Sequence, residues 1–106
     1  MILFRPENVL LVLSGRKTQT RRRWRRPRVK VGSVHQAKTG FKKDEVFARI
    51  RITGLRQERL GDISPEDVYR EGYDTWDEFA AVWRRIHGSA PDPDEIVWVV
   101  DFVRVD

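Results

Sequence analysis

Leu13-Ser14-Gly15-Arg16-Lys17-Thr18-Gln19-Thr20-Arg21-Arg22 is the stretch on which the reading of the fold depends. Its glycine separates two patterns. Upstream, Pro6 to Ser14 reads as a short helix: proline suits an opening turn, and Gly15 suits the left-handed position just past the end. Val9, Leu10, Leu11, Val12 and Leu13 make that helix apolar on nearly every side, so burial is expected. Downstream, two threonines alternate with long polar side chains from Arg16 to Arg22, the pattern of a strand. Gly15-Arg16-Lys17-Thr18 is not a phosphate-binding P-loop, because that motif needs glycine immediately before its lysine and Arg16 stands there.

Beyond this stretch, residues 21–30 (RRRWRRPRVK) carry seven cations around Trp24, and Pro27 makes them a loop or an edge. Val31-Gly32-Ser33 is a turn into a short strand near Val34–Lys38, and Thr39–Glu45 is a polar loop. Val46 to Thr53 alternates apolar and polar residues, as a half-buried strand does. It is expected to run past Gly54 towards Leu60 with a bulge at the glycine. Ser64-Pro65-Glu66-Asp67 caps a short helix that Gly72 ends. Thr75-Trp76-Asp77-Glu78 is a capping box, and the helix after it sets Trp76, Phe79, Ala80, Trp83 and Ile86 on one face up to Gly88. After a proline-containing loop at Ser89–Asp94, Ile96 to Val103 is apolar on both faces, as a central strand is. Strands interrupted by about three short helices, without regular βαβ alternation, argue for an α+β fold with a small barrel or strongly bent sheet. We expect one domain over residues 1–106.

Composition narrows the function classes. There is no cysteine, which excludes disulfides and thiolate metal sites, and only His35 and His87 offer imidazoles, so neither a metal nor a cofactor is expected. No apolar run approaches the ~20 residues of a membrane span. The N-terminal MILFRPENVLLVLSG lacks a basic segment ahead of its apolar stretch, which argues against a signal peptide and for a cytoplasmic protein. Residues 1–60 hold 17 basic and 4 acidic side chains, a net +13, and residues 61–106 hold 4 and 12, a net −8, giving +5 overall. Sixteen of the 21 cations are arginine, the better partner for phosphates and bases. This asymmetry has two readings: a basic face for a polyanion, or two halves that neutralise each other in the fold.

The best binding feature in these residues is the basic loop. Arg21, Arg22, Arg23, Arg25 and Arg26, with Lys38 on the next strand, are candidate phosphate contacts, and Trp24 is a candidate stacking platform for a base. Trp76, Trp83 and Trp98 fall on expected core faces. His35 and His87 have no obvious acidic orienter and read as ordinary histidines.

Gly15, Lys17 and Arg22 resemble the signature of ASCH domains, small relatives of the PUA RNA-binding barrel. That signature is a glycine, a lysine two on, usually a glutamate three further, and an arginine two beyond it. The resemblance extends through Val31-Gly32-Ser33, Glu71-Gly72-Tyr73, the Trp/Phe-bearing helix and the apolar last strand, and so covers nearly the whole chain. It implies a PUA-like bent barrel. Thr20 stands where the glutamate is usual, and in this the chain is similar to a bacterial branch, the N4-acetylcytidine amidohydrolases. That branch has lysine, threonine three later, and a glutamate near the end of the helix after the barrel strand, here Lys17, Thr20 and Glu71. The resemblance implies hydrolysis of the acetyl amide on the exocyclic nitrogen of a cytosine nucleoside, with RNA or a modified nucleoside as partner.

The chemistry stands on general grounds. A threonine hydroxyl needs a base to take its proton, and a lysine serves only if its pKa falls from ~10.4 towards ~7–8. Arg16, Arg21 and Arg22 would push it down, and a nearby Glu71 would push it up. Glu71 could protonate the leaving amine or activate water, and Lys17 or Arg22 could instead hold the oxyanion. Residues three apart face opposite sides of a strand, so Lys17 must lie in the turn after Gly15 to meet Thr20, and Thr18 is a rival hydroxyl. The arginine run suits a polynucleotide better than a small nucleoside. A metal-independent ribonuclease and a non-catalytic RNA-binding module therefore remain alternatives.

Overall fold

The alternation that begins at Val46 produces the longest element, β4 (Val46–Arg59), in a computed structural model that describes residues 1–106. Ala48, Ile50 and Ile52 point inward while Arg49, Arg51 and Thr53 face solvent. The strand register shifts between Ile52 and Gly54, so the bulge lies where the glycine suggested. Around β4 a five-stranded sheet assembles from β1 (Ile2–Leu3), β2 (Gln19–Arg22), β3 (Val34–Lys38) and β5 (Ile96–Arg104), in the order β1-β3-β4-β5-β2. β1 pairs parallel with β3, and every other neighbour is antiparallel. β5 is central, as its two apolar faces require: Val97, Val99, Val100 and Phe102 are all buried.

Three short helices complete the α+β fold: α1 (Val9–Leu13), α2 (Pro65–Glu71) and α3 (Trp76–His87). Both caps read from the sequence form. The Ser64 side chain accepts from the Asp67 N–H, and the Thr75 side chain accepts from that of Glu78. The curled sheet is a half-barrel with two packed regions. One is inside the sheet, around Ile2, Phe4, Val12, Ile50, Ile52 and Phe102. The other joins α2 and α3 to the end of β5 through Leu60, Val68, Phe79, Trp83 and Val97. No helix is long and apolar enough to cross a membrane.

Three burial expectations need correction. Only Val12 of α1 is fully buried, and Leu10 is 77% exposed, because a five-residue helix laid over a sheet can bury just one side. Trp76 and Ile86 also lie largely exposed at the ends of the α3 stripe, so the helix buries only Phe79 and Trp83 fully. Trp98 is half-buried rather than enclosed.

Gly15 and Gly72 take the left-handed conformation at φ +78° and +108°, ending α1 and α2. At Gly72 a Cβ would also stand 3.1 Å from Leu11 Cδ1. Gly72→Ala should therefore cost about 1–2 kcal/mol in chemical denaturation, the left-handed penalty for an L-residue plus crowding. A loss below ~0.5 kcal/mol would mean that the end of α2 can relax without consequence.

Candidate functional site

β1 and β2 are the two edges of the sheet and share no ladder, so the half-barrel stays open between them. One side chain crosses the seam: Arg22 Nη2 donates to the Leu3 carbonyl at 2.8 Å, its guanidinium 5.3 Å from the Phe4 ring centre. A cavity of about 470 Å³ occupies this seam, between β2, the C-terminal end of α2 and one face of α3. That size suits a small organic ligand.

Lys17, Thr20, Arg21, Arg22 and Glu71 all line the cavity. Lys17 lies in the turn between Gly15 and β2, where a lysine can meet a strand residue three positions on. The backbone holds it there: the Lys17 N–H donates to Leu11 O and the Thr18 N–H to Arg70 O. Thr18, the rival hydroxyl, is not on the cavity wall. The Lys17 Nζ donates to Glu71 Oε1 at 3.0 Å and to the Glu71 carbonyl at 2.8 Å, with both side chains buried. Glu71 is thus inside the cavity wall rather than at its rim. Thr20 Oγ1 accepts from Arg22 Nε at 3.1 Å.

Burial holds the Lys17 pKa below the usual lysine value. The carboxylate of Glu71 opposes this, and the charges of Arg22 and Arg21 reinforce it. Arg16 plays no such part: it turns away to pair with Asp74 at 2.8 Å and lies over the Tyr69 ring. Burial and the nearby Glu71 and Glu7 raise the Tyr73 phenol to about 12, so it remains a proton-bearing donor on the wall.

Arg21 is held by charges of the fold itself. Its side chain is 1% exposed and meets three carboxylates, with Nη2 2.9 Å from Glu58 and 3.5 Å from Asp67, and Nη1 3.2 Å from Glu71. Nη1 also donates to Gln19 Oε1 at 2.5 Å, and Nε has no partner. Arg21 lines the cavity, but acids from β4 and α2 hold its guanidinium, which is therefore matched within the fold.

The rest of the basic loop is separate from the cavity. Arg23 pairs with Glu95 at 2.6 Å. Trp24 is half-buried, packed on one side against the core inside the sheet and lining on the other a groove with Arg25, Arg26 and Arg28. Arg25, Arg26 and Arg28 are exposed and line a different groove that shares no residue with the cavity. Lys38 is buried, donates to the Phe41 carbonyl at 3.1 Å and reaches neither surface. Most ion pairs join the basic first half to the acidic second, so neutralisation accounts for much of the charge asymmetry.

Several wall residues carried no functional expectation: Phe4, Arg5, Tyr73, Phe79, Trp83 and His87. Tyr73 had a signal in its place after Glu71-Gly72, and the others come from distant segments without one. No group of His, Cys, Asp or Glu residues is arranged to hold a metal ion.

No protein-family model matches the sequence, and no curated protein matches it. Solved structures do. The ASCH domain of Lactobacillus crispatus superposes with a TM-score of 0.71 at 15% identity, over 92% of this chain and 69% of that one. A protein of Enterococcus faecalis gives 0.69 at 23% identity, over 94% and 71%. A variant of the ASCH protein of Zymomonas mobilis gives 0.63 at 17% identity, over 96% and 66%. The chain therefore has the fold of ASCH domain structures, as the sequence resemblance implied.

Proposed function

We propose, from the premise of an ASCH fold, that the seam cavity binds a nucleotide-like ligand and hydrolyses the acyl amide of N4-acetylcytidine with Lys17, Thr20 and Glu71. One observation carries this reading: a buried lysine with a depressed pKa shares a cavity wall with a threonine hydroxyl and is bound by a buried glutamate.

The roles rest on the hydrogen bonds between Lys17 and Glu71 and on the place of Thr20 on the same wall. A neutral Lys17 amine has two N–H groups, which satisfy both acceptors on Glu71, and one lone pair left for the Thr20 proton. Thr20 Oγ attacks the acetyl carbonyl as Lys17 takes that proton. Glu71 stays ionised, orients the amine and stabilises the ammonium that forms, as the acid of a Ser-His-Asp triad does. Arg22 Nε, already on Thr20 Oγ1, can follow the developing charge to the carbonyl oxygen. Collapse of the tetrahedral intermediate breaks the C–N bond and returns the proton from Lys17 to the exocyclic nitrogen. Water then attacks the acyl-threonine with Lys17 as base, releasing acetate and restoring the hydroxyl.

The test is release of cytidine from N4-acetylcytidine, followed by chromatography. Turnover should rise with pH as Lys17 loses its proton, with the inflection below the usual lysine value of 10.5. Lys17→Arg keeps the positive charge beside Glu71 but cannot release a proton, so it should lose ~10²–10⁴-fold in rate. If Lys17→Arg keeps wild-type turnover, Lys17 supplies charge and not a base. If clean wild-type protein releases no deacetylated product from N4-acetylcytidine or from its 5′-monophosphate, the hydrolase reading fails.

A second reading, RNA binding without catalysis, is favoured by Arg25, Arg26 and Arg28, which are exposed and unpaired. Its mark is an affinity for single-stranded RNA that falls steeply with salt.

A further inference from the structure

The cavity wall has an excess of positive charge that the proposed chemistry does not use. Arg5, Lys17, Arg21 and Arg22 line it, and Glu71 is its sole acid. Lys17 is matched by Glu71, and Arg21 by Glu58, Asp67 and Glu71. Arg22 donates only to Thr20 and to the Leu3 carbonyl, and meets no carboxylate. Arg5 is exposed and makes neither an ion pair nor a side-chain hydrogen bond. An uncharged nucleoside would leave Arg5 uncompensated, and Arg22 with only the field of Glu71, beside a partly desolvated ligand.

His87 adds a donor on the same wall. It is the last residue of α3, and its ring lies 4.1 Å from that of Trp83. Burial lowers its pKa, and Arg23 and Arg5 lower it further against the pull of Glu95. Arg23 is spoken for by Glu95 at 2.6 Å. Arg5 is the cation near His87 that no carboxylate pairs. An arginine fork and an imidazole N–H from different segments, opening on a cavity that already holds an arginine, match a phosphate's several oxygens.

We infer that Arg5 and His87 form a phosphate subsite, and that the ligand of the cavity is a cytidine mononucleotide rather than a free nucleoside. The acylated base would meet Lys17, Thr20 and Glu71, and the phosphate would reach Arg5 and His87, with Phe4 and Trp83 on the wall between them. The volume of about 470 Å³ is enough for one nucleotide. This deepens the reading of the same cavity and rests on it for the base, but binding tests it without turnover.

Titration calorimetry at fixed ionic strength would compare cytidine, cytidine 5′-monophosphate and the dinucleotide cytidylyl-adenosine. The monophosphate is expected to bind at least ~10-fold tighter than cytidine, the gain of a charge-assisted contact. Arg5→Ala and His87→Ala should each bring that ratio towards one, whatever they do to cytidine itself. Both positions are outside the fully buried core, and a thermal melt confirms the fold. Equal affinity of cytidine and its monophosphate, or a ratio unmoved by both substitutions, would overturn the subsite. Tighter binding of the dinucleotide than of the monophosphate would overturn the mononucleotide and assign the contact to an RNA phosphodiester. If the monophosphate preference appears and neither N4-acetylcytidine nor its 5′-monophosphate is turned over, the subsite stands and the hydrolase reading falls.

Discussion

Thr20→Ala is expected to reduce hydrolysis of N4-acetylcytidine by at least ~10³-fold while leaving affinity for the product cytidine within about twofold. The split between rate and binding is what separates a nucleophile from a wall residue. The hydroxyl is small, and its observed hydrogen bond is with Arg22 Nε. Removing it takes one acceptor from that guanidinium and costs about 1 kcal/mol of stability, too little to unfold the chain. Thr20→Ser restores an oxygen at the same carbon and should recover most of the rate. Mass spectrometry adds an independent check, since a slow substrate should leave an acyl group on wild-type protein and none on the alanine variant. Full activity in Thr20→Ala would remove the covalent step and leave Lys17 and Glu71 to activate water.

The contrast between Thr20 and Arg21, neighbours on β2, explains how far the sequence was readable. Local patterns were legible: the bulge at Gly54, the left-handed turns at Gly15 and Gly72, and the two serine and threonine caps follow from backbone sterics within a few residues. The convergence of Lys17 with Glu71 was legible only through resemblance, because nothing local links residues 54 positions apart. The seam that forms the cavity was not legible. It exists because β1 pairs parallel with β3, which leaves β1 and β2 as the open edges. A two-residue strand carries no periodicity from which that pairing could be read. Arg21 was misread for a related reason. In a run of arginines each looks solvated, and the acids that draw this one inward lie at least 37 residues away. The charge imbalance between the halves was real, but the fold neutralises part of it in ion pairs such as Arg56–Asp101, Arg59–Asp94 and Arg23–Glu95.

Arg21→Met is expected to be the most damaging single substitution for the fold, at about 3–5 kcal/mol. The guanidinium is buried, and it is the shared partner of Glu58, Asp67 and Glu71. Methionine fills much of the same space, so the loss is electrostatic. Glu71 keeps Lys17, and Asp67 keeps Arg56 at 2.9 Å and Arg70 at 2.8 Å. Glu58 keeps only Arg56, at 3.4 Å. For a domain whose total stability is of order 5–15 kcal/mol, such a loss lowers the melting temperature by ~12 °C or more. The pH dependence gives the cause. In the wild type, burial works to raise the Asp67 pKa, but Arg70, Gln19, Arg21 and Arg56 outweigh it and hold the carboxyl below its usual value. That stability is present above the unfolded pKa and is lost as pH falls through the folded one. Without Arg21 the Asp67 carboxylate loses one of the charges that hold its proton affinity down, so the folded variant takes up protons more readily than the folded wild type as pH falls. The gap to wild type should be widest near pH 7 and narrow towards pH 4. Adding Glu58→Gln should recover part of the loss, because it removes the acid left with the weakest partner. A gap that stays constant from pH 7 to pH 4 would show that packing, not the stranded carboxylates, made Arg21 necessary.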